Sequence, residues 1–141
     1  RLKALAGSLG LGGSVTFRGL VPQEDLPDYY RAADVSVVPS YYESFSLVAL
    51  ESLACGTPVV ATDVGDLRSI IRDGETGDVV SDNQPHHLAD KIARRLARPR
   101  PDRAAALAIR ATVAPLGWSN IAQAVMRESR RIPGPHLARV L

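Results

Sequence analysis

Two β-branched runs separated by a helix-length spacer constrain this chain more than anything else in it. Val35-Ser36-Val37-Val38 and Pro58-Val59-Val60-Ala61 each read as a short buried strand bounded by turn residues. Between them, Ser44 to Ala54 carries apolar residues at Leu47, Val48, Leu50, Leu53 and Ala54, a helical spacing. Gly56 stands where a helix C-terminus needs a stop. Strand, loop, helix and strand make a βαβ unit, with parallel strands and a right-handed crossover. Ligands of such sheets sit at the carboxyl ends of the strands, where helix N-termini point. The expected fold class is α/β, a Rossmann-like parallel sheet with helices on both faces.

The loop that enters this helix carries the candidate chemistry. Glu43 stands just ahead of the helix and Glu51 lies eight residues later on it. The run Ser44-Phe45-Ser46-Leu47 places free backbone N–H groups at a helix N-terminus, which suits an anion. Carboxylates accept paired hydrogen bonds from vicinal hydroxyls, so an anion site beside glutamates suits a nucleotide-sugar. The bland reading, two glutamates on a solvated helix, fits the spacing alone. The flanking residues weigh against it.

Glu43-x7-Glu51 within PSYYESFSLVALESLACGTPVVATDVG closely resembles the signature of the family 4 (group 1) retaining glycosyltransferases, over roughly residues 15–96. The resemblance implies the C-terminal, donor-binding lobe of a two-lobe (GT-B) enzyme. It implies that Glu43 contacts the donor sugar and is the candidate catalytic residue, and that Glu51 binds the nucleotide ribose. Amides at Phe45, Ser46 and Leu47, beside Ser44, would hold the diphosphate, and Arg18 and Gly19 would border the base. With eight residues of helix between them, the two carboxylates would stand about 12 Å apart, near opposite ends of one donor.

No cofactor is expected beyond the donor substrate, no metal, and no protein nucleophile from this lobe. The acceptor site would belong to a missing N-terminal lobe, so the isolated chain is expected not to transfer sugar. The chain opens inside a helix and lacks the family's first strand and basic pair, so truncation at the N-terminus is expected. Two departures stand out. Ser46 and Asp66 occupy positions where the family usually has glycine, so the Ser46 hydroxyl could add a donor to the phosphate and Asp66 could tune specificity.

The remaining elements follow from local signals. Arg1–Leu9 reads as a helix, Val15–Phe17 as a strand and Glu24–Ala33 as a helix with Leu26, Tyr29, Tyr30 and Ala33 buried. Tyr41 and Tyr42 sit in the site loop and are better ligand candidates than Tyr29 and Tyr30. Leu67–Arg72 is a short helix, Gly74 and Gly77 flank a turn, and Asp78–Val80 is a strand. Helices follow at Leu88–Leu96, Asp102–Val113 and from Trp118 onward, with Ser119 as the cap of the last. Pro133-Gly134-Pro135 ends the order. The lobe with its C-terminal helices spans 1–126, and 127–141 forms a helix end and tail.

Asp63 with Asp66 and His86 with His87 could suggest metal pairs. Loop aspartates more often cap turns, and adjacent histidines face apart. The single cysteine, Cys55, rules out an internal disulfide and fits a reducing, cytoplasmic location. Six basic and 13 acidic residues lie up to Asp90, against 11 and two beyond it, for formal charges of −7 and +9. A solvated, arginine-rich face is the first reading of that asymmetry. A peripheral contact with anionic membrane at the inner face is the second. Nucleic acid is not expected, because the basic half has no aromatic interleaving. The rival functions are a non-catalytic nucleotide-binding module and a membrane-interaction module.

Overall fold

The computed structural model describes residues 1–131. The chain runs α1 (Leu2–Ser8), α2 (Leu26–Ala32), β1 (Ser36–Val38), α3 (Leu47–Ala54), β2 (Val59–Thr62), α4 (Leu67–Ile70) and β3 (Gly77–Val80). It continues through α5 (Pro85–Leu96), α6 (Arg103–Val113), a 3-10 turn (Ala114–Leu116) and α7 (Trp118–Ser129). The strands form one parallel sheet in the order β1-β2-β3. In β1 and β2, Ser36 is opposite Val59 and Val38 opposite Ala61. The expected α/β class is the observed one, and the tail expected from Ile132 onward lies outside the described residues.

Strand alternation sorts the core onto two faces. Val38, Val59, Ala61 and Val79 pack with Ala49 and Leu53 of α3, Leu67 and Ile70 of α4, and Ile109 and Val113 of α6. Val60 and Val80 turn the other way, against Leu88 and Ile92 of α5. All four residues of β2 are buried, as befits the central strand of a sheet covered on both sides. α3 ends where Gly56 takes a positive φ of 81°. A side chain there would also strike Ala106, so glycine stops the helix and lets α6 pack closely.

The structure departs from expectation in five places, one of them the last helix, whose N-cap is Gly117 rather than Ser119. Val15–Phe17 is not a strand; it carries no ladder among the described residues, and Val15 and Phe17 are exposed. A β-branched run states what could join a sheet but not which strand it would pair with. α2 starts at Leu26 rather than Glu24 and buries none of its residues fully. α3 starts at Leu47 rather than Ser44, with Leu47 and Val48 exposed. Gly77 opens β3 with no positive φ; it is needed because a Cβ there would come within 2.1 Å of the Val59 carbonyl oxygen.

One buried ion pair joins α5 to β3. Arg95 Nε donates to Asp78 Oδ2 at 2.9 Å, and its Nη2 donates to the same oxygen at 2.5 Å and to the Gly77 carbonyl at 2.7 Å. Lys91 Nζ stands 3.8 Å from the other Asp78 oxygen. Two charges survive here because each is hydrogen-bonded as well as paired.

Candidate functional site

The three loops that leave the carboxyl ends of β1, β2 and β3 meet at one point, the Ser40 carbonyl. Thr62 Oγ1 at the end of β2 donates to it at 2.5 Å, and Asn83 Nδ2 beyond β3 donates to it at 2.8 Å. The Ser40 hydroxyl donates to Glu43 Oε2 at 3.2 Å, which orients that carboxylate. Gly65, in the loop after β2, presses against the same segment with φ +55°. A Cβ on it would lie 2.1 Å from the Glu43 carbonyl oxygen.

Ser46 is the N-cap of α3, with extended backbone, and is almost wholly buried. Its Oγ accepts from the Ala49 amide at 3.4 Å, and its carbonyl accepts from the Leu50 amide at 3.2 Å. The serine side chain therefore turns back into the helix as a cap. As an acceptor it still keeps its own O–H, the donor expected from the sequence in addition to the amides. Among the described residues, the amides of Phe45, Ser46, Leu47 and Val48 donate to nothing. Four adjacent N–H groups at the positive end of a helix dipole can hold an anion. Val48 joins the three amides expected from the sequence, because the later helix start moves the first turn along the chain.

That later start also corrects the spacing of the glutamates. Only Leu47 to Glu51 is helical, which contributes about 6 Å of rise rather than 12 Å. The rest of the separation is loop. Glu51 is half-buried and accepts a hydrogen bond from the Tyr30 hydroxyl to Oε2 at 3.0 Å. Burial, and then the hydrogen bond to Glu51, push the Tyr30 hydroxyl up to about 12, so it stays protonated and donating at any ordinary pH. Sequence reasoning missed this contact. The only available signal was the half-polar face that Tyr30 shares with Leu26 and Ala33.

Other candidates lie further out. Arg18 and Gly19 occupy the exposed segment before α2; the Arg18 guanidinium stands 5.5 Å from the centre of the Tyr29 ring, and Gly19 has φ +69°. They are therefore adjacent to α2, and no hydrogen bond ties them to the Glu43 loop. Ser44 is exposed, and Tyr41 and Tyr42 are about 85% exposed at the mouth of the loop, free to meet a ligand. Asp63 is engaged by Arg68, whose guanidinium holds its carboxyl below the usual range. Asp66 is the N-cap residue of α4 without a side-chain cap bond. His87 Nδ1 lies 2.9 Å from Asp82, which keeps that carboxyl low as well. Burial pushes the Cys55 thiol up, away from the thiolate a nucleophile needs.

A cleft of about 580 Å³ opens at the other end of the sheet, beside Pro58, Thr76, Arg95, Arg98 and Arg100. Three of its arginines are committed to the protein. Arg95 holds Asp78, Arg98 donates to the Gly74 carbonyl, and Arg100 donates to the Arg31 carbonyl. The amide cluster and the two glutamates mark the candidate site, and this cleft does not.

Residues 1–112 match the family model described as glycosyl transferases group 1. The chain belongs to this family. A D-inositol 3-phosphate glycosyltransferase of Frankia alni is 45% identical over 135 residues, covering 95% of this chain and 33% of the relative. The enzyme of the same name from Acidothermus cellulolyticus is 52% identical over 96 residues, 68% of this chain and 21% of its own. Among solved structures, sucrose-phosphate synthase from Thermosynechococcus elongatus superposes with a TM-score of 0.85 at 42% identity, over 93% of this chain and 33% of that one. Anabaena HepE, solved in complex with UDP, gives 0.83 at 24% identity over 93% and 36%, a likeness of fold. The fold is that of GT-B glycosyltransferases. This group 1 chain spans between about a fifth and a third of the length of the curated relatives it matches. No helix among its described residues is long and apolar enough to cross a membrane.

Proposed function

We propose that this lobe holds the nucleoside-diphosphate-sugar donor of a glycosyl transfer to a hydroxyl acceptor, with retention of configuration. The observation that carries the reading is the set of unpartnered amides from Phe45 to Val48, set between a fixed Glu43 and a fixed Glu51. The diphosphate sits on the amides, the sugar reaches Glu43, and the ribose reaches Glu51. As the glycosidic bond to the diphosphate breaks, negative charge grows on the leaving phosphate oxygens. The amides and the α3 dipole face that charge without reorganising. Glu43 binds sugar hydroxyls whose contacts strengthen as positive charge builds at the anomeric carbon. The acceptor and its base come from a separate lobe. Relatives with different names, a D-inositol 3-phosphate glycosyltransferase and a sucrose-phosphate synthase, share this lobe at 45% and 42% identity. That supports a role tied to the donor rather than to the acceptor.

Glu51→Ala is expected to weaken nucleoside diphosphate binding by about 1.5–3 kcal/mol, the range for hydrogen bonds to a charged group. Titration of UDP, GDP and ADP into wild type and variant checks it. Equal affinities for whichever nucleotide binds best would leave Glu51 a structural partner of Tyr30 and remove the ribose from this site.

Glu43→Gln separates the two ends of the donor. It is expected to spare the bare nucleoside diphosphate and to weaken only the nucleotide-sugar, by about 1 kcal/mol or more. Should the variant keep the same ratio of the two affinities while melting lower, Glu43 is a loop-fixing residue held by Ser40 and the sugar binds elsewhere.

A further inference from the structure

The Tyr30–Glu51 contact joins two helices at the one point where the donor reading needs a carboxylate in a set orientation. A glutamate on an open helix face turns freely about its side-chain bonds, and binding would have to order it. Here Tyr30 removes that freedom before any ligand arrives. Its hydroxyl occupies one lone pair of Oε2 at 3.0 Å. A carboxylate presents about four such sites, so Oε1 and the second lone pair of Oε2 stay open to a pair of hydroxyls.

Tyr30 is itself tied to the helix that it orients. Its carbonyl accepts from Thr57 Oγ1 at 2.6 Å. Thr57 is buried, and its own carbonyl accepts from Ser52 Oγ of α3 at 3.0 Å. With its own hydrogen on that carbonyl, Ser52 Oγ accepts from the Ser36 hydroxyl at 2.8 Å, at the start of β1. The tyrosine that holds Glu51 is thus anchored through Thr57 to the next residue of the same helix, so α2 and α3 keep one relative position.

We propose that Tyr30 is a positioning residue that presets the Glu51 carboxylate for two vicinal hydroxyls, and so makes this lobe select ribose over 2′-deoxyribose. The proposal rests on the ribose role given to Glu51 above. The hydroxyl's persistence as a donor at ordinary pH is consistent with it. A purely structural tyrosine would pack α2 against α3 with its ring, and its hydroxyl would be dispensable for ligand choice.

The test measures the affinities of wild type, Tyr30→Phe and Glu51→Gln for UDP and 2′-deoxy-UDP, with the corresponding adenine and guanine pairs. Phenylalanine keeps the ring and removes only the hydroxyl. The readout is the ribo-to-deoxy affinity ratio, which is blind to a loss of folded protein because that lowers both affinities alike. Wild type is expected to prefer the ribonucleotide by about tenfold, the scale of one hydrogen bond to a charged group, and Tyr30→Phe to keep only about threefold. A Tyr30→Phe ratio equal to wild type, with Glu51→Gln collapsing it, overturns the positioning role and leaves the ribose role intact. A wild type with no preference, or a Glu51→Gln ratio that does not move, overturns both.

Discussion

Gly65→Ala is expected to lower the stability of this lobe by about 2–4 kcal/mol and to weaken nucleotide-sugar binding with it. Two costs add. Gly65 has φ +55°, a left-handed conformation that a Cβ makes unfavourable. The new methyl would also lie 2.1 Å from the Glu43 carbonyl oxygen and 3.0 Å from that of Ser44, well inside contact distance. Relief requires the Glu43 loop to move, and that loop carries both the Glu43 carboxylate and the approach to the amides. Gly74 is the matching control. Its φ is +81°, yet nothing lies within 4 Å of a Cβ built there. Gly74→Ala should cost only the conformational part, about 1 kcal/mol. Urea unfolding of both variants, with donor titrations of the folded proteins, checks the expectation. If Gly65→Ala proves as mild as Gly74→Ala, the loop has slack and the contact does not shape the site.

The second large effect is at the far side of the sheet. Arg95→Ala should destabilise the lobe by about 3–5 kcal/mol, because it leaves Asp78 almost wholly buried without the guanidinium that donates twice to its Oδ2. Lys91 at 3.8 Å compensates in part, which favours the lower end of that range. Replacing the pair together, Asp78→Val with Arg95→Leu, should recover most of the loss, since neither charge is then stranded. A double-mutant cycle by urea unfolding measures the coupling. Nucleotide affinity should stay at the wild-type value throughout, since Gly77 and Asp78 begin β3 whereas the site lies beyond the strand's other end. An Arg95→Ala variant within about 1 kcal/mol of wild type would show that the pair contributes little.

Much of this molecule was legible from residue order, and the reason is physical. β1, β2 and α3 announce themselves because β-branched runs and a 3.6-residue apolar period are local signals, and Gly56 marks a local stop. Glu43, Glu51 and the amide run were legible because one helix entrance holds them all. What escaped depends on distant partners. Val15–Phe17 has the composition of a strand, but pairing decides whether it becomes one. The start of α3 slipped by three residues because a serine can cap a helix or join it, and Ser46, not Ser44, is buried as the cap. The Asp78–Arg95 pair is 17 residues apart and exists only once α5 packs on β3. The Tyr30–Glu51 bond is 21 residues apart and needs α2 to lie beside α3. In each case the residue type was suggestive and the partner was not.

The ties among the three exit loops have a consequence for how such a site can change over generations. They run through carbonyls and a missing Cβ: Thr62 and Asn83 on the Ser40 oxygen, and Gly65 on the Glu43 backbone. The side chains of Tyr41, Tyr42 and Ser44 take no part in them. A lineage can therefore exchange those three residues while the framework beneath is inherited unaltered. The same division instructs a laboratory library: randomise 41, 42 and 44, and leave 40, 62, 65 and 83 untouched.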